Sequence, residues 1–268
     1  MYQIGCCCKA EHIVRLANIG YDYAELSAAE IASMSTEQYE KTRALLDSTG
    51  LNCLALNDYC ETYPAIVGNR FSEDAIVEYA EKVCFRASLL GVRCIGIGAP
   101  MARQLPEGYP VALAEEQAIK FLKLTGEVAS KYPDLFVLME ALNSTVSNFC
   151  NTQKQSLHLV QQAEMTNVRM EVDFFHMLMM GEDFGTFSTY SPWTRHIHVS
   201  SKTANGIRCY FTSQDTGLCG DIMLALSKAG YDGTISVEAP LDTFTDEAVS
   251  RSLNIIKNSV TALYRGLC

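Results

Sequence analysis

Four side chains that could hold a metal ion lie at the ends of four successive apolar runs in the second half of the chain. The runs LFVLME, VRMEVD and TISVE end in Glu140, Asp173 and Glu238, and the run RHIHV carries His198. Three carboxylates that converge without a partner repel one another, and a divalent cation removes that repulsion. The pattern therefore predicts a metal site, provided that the fold brings the four runs together.

The elements that would position these residues alternate regularly along the chain. Eight short apolar runs have the length and composition of buried parallel strands; they cover residues 2–7, 21–26, 51–56, 92–97, 135–140, 168–173, 195–199 and 234–238. Amphipathic segments with helical periodicity lie between them, at residues 12–19, 35–49, 72–90, 113–131, 152–163, 221–229 and 246–264. The segment 177–191 has the weakest helical pattern, and we expect it to be mostly loop.

Eight strands alternating with helices in 268 residues predict a single (β/α)8 barrel spanning residues 1–268. An open, doubly wound sheet is the alternative, but that fold usually carries a glycine-rich phosphate loop after its first strand. Neither GxGxxG nor GxxxxGK[ST] occurs, and the first run continues into CCCKAEH. In a barrel the carboxyl ends of all strands meet at one rim, which would bring the four candidate ligands together.

Three carboxylates and one imidazole form a mainly oxygen donor set. Such a set suits Mn²⁺ or Mg²⁺ and could also accept Co²⁺ or Zn²⁺. A cation that binds a carbonyl and the neighbouring hydroxyl acidifies the adjacent C–H group, and a carboxylate can then remove that proton. Return of the proton to the other face gives an epimer, return to the neighbouring carbon gives an isomer, and loss of a β-hydroxyl gives a dehydrated product. The sequence leaves these three outcomes open.

The overall composition limits the classes of partner. Hydrophobic residues make up 48% and charged residues 19% of the chain, and the net charge is −10. An acidic chain is unsuited to nucleic acid or to an anionic membrane surface, so we expect a small-molecule substrate, no nucleic acid and no membrane. The first residues, MYQIGCCCKAEHIVR, lack the features of a signal peptide. The odd count of 11 cysteines and the lack of CxxC pairs favour reduced thiols and a cytoplasmic location.

Five stretches, which occur along most of the chain, resemble the xylose-isomerase-like barrel superfamily. They are GYDYAEL (20–26), EALN (140–143), DFFHM (173–177), HIHV (196–199) and GYDGTISVE (230–238). This superfamily includes ketose 3-epimerases, hydroxypyruvate isomerase, inosose dehydratase and endonuclease IV. Members are commonly dimers or tetramers, so a homo-oligomer is expected by analogy.

The resemblance implies a metal-dependent isomerase or epimerase of a ketose, keto-sugar or related polyol-derived compound. It implies that Glu140, Asp173, His198 and Glu238 hold one divalent metal ion. It also implies that Glu140 and Glu238 transfer protons on opposite faces of a sugar, and that His176 contacts a substrate oxygen.

The chain departs from the ketose 3-epimerase pattern at two positions. Those enzymes carry a glutamate six residues after the first metal glutamate, where this chain has Val146. They also carry an arginine six residues after the metal histidine, where this chain has Ala204 with Lys202 and Arg208 nearby. The metal ligands are therefore expected to be retained while the substrate contacts differ, and we consider Lys202 a candidate substrate-binding residue.

Two further residues near the same rim are candidates for substrate binding. Arg103, in the loop after the fourth run, could hold a carboxylate, phosphate or hydroxyl of the substrate, or could be a solvated loop residue. Asn143 could donate to substrate or to a metal ligand. Trp193 could wall the pocket or pack elsewhere.

Alternation along the strands turns further polar residues inward. His196 shares the inward face with His198, and Glu171 shares it with Asp173, one layer deeper in each case. Glu25 ends the second run, at the same rim as the candidate ligands. The roles of these deeper residues stay open at this stage.

Three other functions remain open from the sequence. The missing glutamate and arginine motivate a lyase or dehydratase of a keto-inositol or keto-sugar on the same scaffold. A barrel that binds sugars without catalysis is a second alternative. An endonuclease IV-like nuclease is disfavoured, because it needs additional histidine ligands and the chain has 5 histidines and an acidic charge.

Overall fold

The computed structural model describes residues 2–266. Eight parallel strands close into a barrel in which each strand pairs with its neighbour in sequence and the last pairs with the first. These strands are β1 Gln3–Cys7, β2 Tyr23–Ser27, β3 Asn52–Asn57, β4 Cys94–Ile97, β5 Phe136–Glu140, β6 Val168–Asp173, β7 Thr194–Val199 and β10 Thr234–Val237. A short antiparallel hairpin, β8 Ser201–Lys202 with β9 Arg208–Cys209, follows β7. The predicted (β/α)8 barrel is confirmed.

Within residues 2–266, ten α-helices connect or follow the strands. They are α1 Ile13–Ile19, α2 Ala28–Ser33, α3 Thr36–Thr49, α4 Glu73–Leu89, α5 Val111–Ala129, α6 Gln153–Ala163, α7 Phe174–Met180, α8 Phe187–Tyr190, α9 Thr216–Lys228 and α10 Asp246–Tyr264. Side-chain oxygens begin several of them; Ser35 and Thr152 each form a reciprocal capping box with the glutamine three residues later. These caps fix where each helix starts after its loop.

The prediction for residues 177–191 was wrong, because this segment forms part of α7 and the whole of α8. Helix α7 starts directly at the end of β6, where the Asp173 carboxylate accepts the Phe175 N–H at 2.7 Å. It ends at Gly181, whose φ of 68° is the left-handed conformation that suits glycine. Helix α2 was not predicted either, and α9 begins at Thr216, earlier than the predicted 221.

The interior of the barrel is layered. An apolar layer formed by Tyr23, Leu54, Ala55, Cys94 and Leu138 lies towards the amino ends of the strands. Inward-facing polar residues fill the space beyond it, since residues two apart in a strand share a face. The larger apolar core lies between the barrel and its helices.

Two general features of the chain bear on its class. The cysteines within residues 2–266 are free thiols, and all of them except Cys209 are buried. Among the same residues, no helix combines the length and the hydrophobicity needed to cross a membrane.

Candidate functional site

The four predicted metal ligands meet at the carboxyl end of the barrel. Glu140 and Asp173 end β5 and β6, His198 lies in β7, and Glu238 follows β10 directly. One ligand atom from each lies within 4.8 Å of all the others. Glu140, Asp173 and His198 are buried, whereas the Glu238 side chain is 26% exposed. We call this group the upper site.

The upper site fits a divalent cation. Glu140 Oε1 and His198 Nδ1 are buried and have no hydrogen-bond partner within the part of the chain that the structure describes. Buried polar atoms without partners are costly, so an additional ligand that satisfies them would be stabilising. Gly98 leaves room for the carboxylate of Glu140, because a Cβ at position 98 would lie 2.5 Å from Glu140 Oε2. The donor set of three carboxylates and one imidazole suits Mn²⁺ or Mg²⁺.

Arg208, which lies four residues after position 204 in the sequence, enters the upper site. Arg208 reaches over the barrel mouth from β9 and pairs with the carboxylates of Asp173 and Glu238. Its guanidinium lies over the Phe175 ring, 4.3 Å from the centroid, and 3.1 Å from His176 Nε2. The site therefore contains a positive side chain between two of its carboxylates.

The side chain of Lys202 is exposed and does not line the cavity, and its contact with substrate stays a prediction. The β8–β9 hairpin turns between Lys202 and Arg208, and its turn is closed by the Thr203 N–H donating to the Ile207 carbonyl at 2.8 Å. Arg208, after this turn, returns over the barrel mouth. The sequence did contain a signal for this arginine: Arg208 lies four residues after position 204, where ketose 3-epimerases carry an arginine.

His176 is held by Asn143 with one nitrogen facing the upper site. The backbone N–H and side-chain amide of Asn143 lie 3.1 and 2.8 Å from His176 Nδ1, which therefore accepts a hydrogen bond. Neutral His176 then carries its proton on Nε2, which lies 3.6 Å from both Glu140 Oε1 and Asp173 Oδ2, so its 3.1 Å approach to Arg208 joins two donors and is not a hydrogen bond. Burial lowers the pKa of His176 to about 4. Contact of either residue with substrate stays a prediction.

Arg103 does not face the cavity. Its side chain is fully buried, and Nη1 donates to the backbone carbonyl of Glu140 at 2.6 Å. Burial lowers the pKa of Arg103. The residue supports the end of β5, so the structure favours neither the substrate contact nor the solvated loop position that the sequence suggested.

The upper site opens into a cavity of about 610 Å³. This volume falls within the range of small-molecule sites. Its walls combine polar residues (Asn57, Asp58, Thr145) with apolar ones (Val146, Ile207, Leu241). Val146 occupies the position at which ketose 3-epimerases carry a glutamate, and it is 44% exposed. Trp193 is not part of the cavity; it stacks against Arg169, 5.4 Å from the guanidinium carbon.

The two glutamates of the upper site differ in their electrostatic surroundings. Burial and the charges of Glu238 and Asp173 raise the pKa of Glu140 to about 8. Burial acts in the same direction on Glu238, but neighbouring positive charge, that of Arg208 above all, outweighs burial and holds the pKa of Glu238 below the ordinary value. A neighbouring pair with opposite shifts is typical of groups that exchange protons with a substrate.

A second set of titratable residues lies beneath the upper site. Glu25, Glu171 and His196 are at most 1% exposed. Glu25 and Glu171 lie 2.9 and 3.1 Å from Nε2 of His198, and His196 pairs with Glu25 at 2.8 Å. We call these three residues the lower layer. The inward direction predicted for Glu171 and His196 is confirmed, and the contacts of the layer become visible only in the structure.

This fold and the arrangement of ligands at the strand ends define the class of the protein. The chain belongs to the xylose isomerase-like TIM barrel family, whose model matches residues 13–259.

Individual relatives and solved structures agree with this class. D-psicose 3-epimerase from Agrobacterium fabrum is 26% identical over 235 residues, which cover 85% of this chain and 78% of that protein. Ketose 3-epimerase from Arthrobacter globiformis is 26% identical over 70% of this chain and 65% of its own length. The solved structure of an L-ribulose 3-epimerase superimposes with a TM-score of 0.81 at 17% identity, covering 99% of this chain and 97% of that one.

Proposed function

We propose that this protein is a divalent-metal-dependent isomerase or epimerase of a ketose, keto-sugar or related polyol-derived carbonyl compound. The observation that carries the proposal is the convergence of Glu140, Asp173, His198 and Glu238 within 4.8 Å at the strand ends. The names of the two curated relatives, both 3-epimerases of ketoses, support the same substrate class. Mn²⁺ or Mg²⁺ is the cation that the donor set favours.

When bound at the upper site, a divalent cation polarises a carbonyl and its neighbouring hydroxyl and acidifies the adjacent C–H group. The protein supplies carboxylates to move that proton. Glu238 is the candidate base, because its lowered pKa keeps the carboxylate ionised. Glu140 is the candidate group that returns a proton from the other side. The raised pKa of Glu140, about 8, lets it hold the proton that it returns, and Glu238 keeps the proton that it removed until solvent takes it up.

Other residues of the cavity are suited to orienting a sugar. The Nε2–H of His176 faces the space between Glu140 and Asp173, where a substrate oxygen could accept its hydrogen bond. The guanidinium of Arg208 can donate to substrate oxygens as well as to carboxylates. We propose that these two residues, together with Asn143 as the support of His176, orient the reacting carbons.

Exchange of substrate hydrogen with D₂O tests the proposal at the step that all three outcomes share. Ketoses, keto-inositols and keto-sugar acids are incubated with the protein and Mn²⁺ or Mg²⁺, and deuterium in recovered substrate is measured by mass spectrometry. We expect exchange with the wild-type protein and none with Glu238→Gln, which keeps its size but loses the basic oxygen. Glu182→Gln is the matched control, because Glu182 is a half-buried carboxylate outside the cavity.

Absence of exchange across the whole panel at saturating metal would contradict the proposal. Tight sugar binding without exchange would instead identify a non-catalytic sugar-binding barrel. An unsaturated or diketone product would identify a lyase. Two observations motivated the lyase, a missing glutamate and a missing arginine, and the entry of Arg208 into the site removes the second.

A further inference from the structure

The lower layer has no place in the proposed chemistry, although it is the most deeply buried group of charged residues near the site. Glu25 and Glu171 are 0% and 1% exposed, and none of the three residues lines the cavity. A buried carboxylate is strongly destabilising unless it is paired and hydrogen-bonded. The contacts of Glu25 therefore indicate what it is paired with.

Glu25 accepts one hydrogen bond on each oxygen, and both come from histidines. Glu25 Oε1 lies 2.9 Å from His198 Nε2, and Glu25 Oε2 lies 2.8 Å from His196 Nε2. Because an ionised carboxylate can only accept hydrogen bonds, both Nε2 atoms must carry a proton.

The remaining nitrogens of the two rings then have defined roles. His196 Nδ1 lies 2.7 Å from Thr234 Oγ1, so the threonine hydroxyl donates to it and fixes the ring. His198 Nδ1 lies on the opposite side of its ring from Glu25. This atom faces the upper site, where it is 3.1 Å from Glu238 Oε2 and 4.0 Å from Glu140 Oε1.

The neighbouring backbone is shaped to accommodate this layer. A Cβ at Gly96 would lie 2.1 Å from Glu171 Oε2, so only glycine leaves space for that carboxyl group. Glu171 Oε1 lies 3.1 Å from His198 Nε2 but has no hydrogen-bond partner among residues 2–266, whereas Glu25 Oε1 is hydrogen-bonded to this nitrogen at 2.9 Å. The packing therefore places one hydrogen-bonded carboxylate directly beneath His198.

We propose that Glu25 is a positioning residue that fixes the ring of His198 with its proton on Nε2 and its Nδ1 lone pair directed at the upper site. The inference rests on the metal site of the proposed function. Carboxylates that orient a metal-binding histidine in this way typically contribute about 10–100-fold to metal affinity. His196 and Thr234 extend the same hydrogen-bond chain and hold Glu25 in place.

Glu25→Gln tests this role, because glutamine has nearly the same shape but offers only one acceptor oxygen to two N–H groups. Isothermal titration of the full-length protein with Mn²⁺ measures the affinity. We expect about a 10–100-fold weaker Kd for Glu25→Gln than for the wild type. Tyr23→Phe is the matched control: it removes a buried hydrogen bond of 2.8 Å to Ser236 and keeps the hydrogen bond between Glu25 and His198. Its Mn²⁺ affinity should be unchanged.

A spectroscopic readout separates positioning from a merely structural contribution. In the Mg²⁺-loaded protein labelled with ¹⁵N-histidine, long-range ¹H–¹⁵N correlations report which ring nitrogen carries the proton. We expect His198 to carry it on Nε2 in the wild type, and we expect the variant to lose this single state. A proton on Nδ1 in the wild type would overturn the proposal.

The outcomes also separate this proposal from the proposed function. Failure of the wild type to bind Mn²⁺ would remove the metal site itself. Equal affinity of wild type and Glu25→Gln would refute only the role of Glu25. Should Glu25→Gln fail to fold, Thr234→Val removes the outer hydrogen bond of the chain, and an unchanged Kd together with an unchanged His196 spectrum would refute the proposal.

Discussion

Arg208 supplies positive charge to the upper site, and its replacement by methionine tests that role. The guanidinium pairs with Asp173, which is fully buried, and with Glu238, and its own side chain is 14% exposed. Removal of one partner from a buried ion pair costs about 3–5 kcal/mol, because the remaining charge has no compensation. Glu238 is 26% exposed, so water relieves part of this cost. We therefore expect the metal-free Arg208→Met protein to lose about 3 kcal/mol of unfolding free energy.

Thermal unfolding with and without Mn²⁺ measures this effect. For a chain of this size, about 3 kcal/mol corresponds to a Tm lower by about 6–12 °C. A cation present at about 100 times its Kd stabilises the folded state by about 2.7 kcal/mol. In the variant the cation meets carboxylates that no arginine occupies, so it should bind more tightly than in the wild type. The difference in Tm between variant and wild type should therefore shrink when Mn²⁺ is added.

Arg43→Met is the matched control for loss of an arginine. Arg43 pairs with Glu40 on the surface, where the two side chains are 37% and 55% exposed. Such pairs contribute about 0–1 kcal/mol, and the small loss should not depend on Mn²⁺. The reasoning fails if Arg208→Met unfolds at the wild-type temperature without metal, or if its deficit is the same with and without Mn²⁺.

Two further predictions concern the surroundings of the upper site. Gly98→Ala places a Cβ 2.5 Å from Glu140 Oε2 and should lower both the unfolding free energy, by about 1–3 kcal/mol, and the Mn²⁺ affinity in calorimetry. Gly220→Ala is the control: it lies in helix α9 with no atom within 4 Å of the new Cβ, so it should be neutral or stabilising. An unchanged Mn²⁺ affinity in Gly98→Ala would contradict the argument. His176 has a pKa of about 4 in the folded chain against 6.5 ordinarily. Between these pH values the unfolded chain therefore binds more protons than the folded chain. The unfolding free energy should fall as the pH drops through this window, by about 3 kcal/mol in total. His176→Gln should lack this contribution in denaturant titrations across that pH range, and identical pH profiles for the two proteins would show the assignment to be wrong.

The barrel and the convergence of its ligands could be predicted because both follow from strand order. Parallel strands deliver their carboxyl ends to one rim, so residues that end β5, β6 and β10 must lie near one another whatever the loops do. The alternation of side chains along β6 and β7 likewise predicts that Glu171 and His196 point inward. These inferences need only the period of the strand and its direction.

The loops could not be predicted in the same way. Arg208 enters the site from a hairpin inserted after β7, and the position of a hairpin tip depends on its turn and not on the barrel register. Arg103 is the last residue of a short 3-10 helix, Pro100–Arg103, and its burial beneath Glu140 has no periodic signal in the sequence. Helix α7 was missed because it starts on a capping carboxylate that belongs to the preceding strand.

His198 connects what the sequence predicts with what only the structure shows. Strand position predicts that its ring faces the barrel axis, and the structure shows that the ring spans two polar layers, with Nδ1 towards Glu238 and Nε2 towards Glu25. An aspartate at this position could still offer an oxygen to a cation, but it would present a second negative charge to Glu25 in place of an N–H donor. The imidazole satisfies both layers at once, because its two nitrogens lie on opposite sides of one rigid ring. The imidazole of His198 therefore serves the buried carboxylate below it as well as the candidate ligands of the upper site.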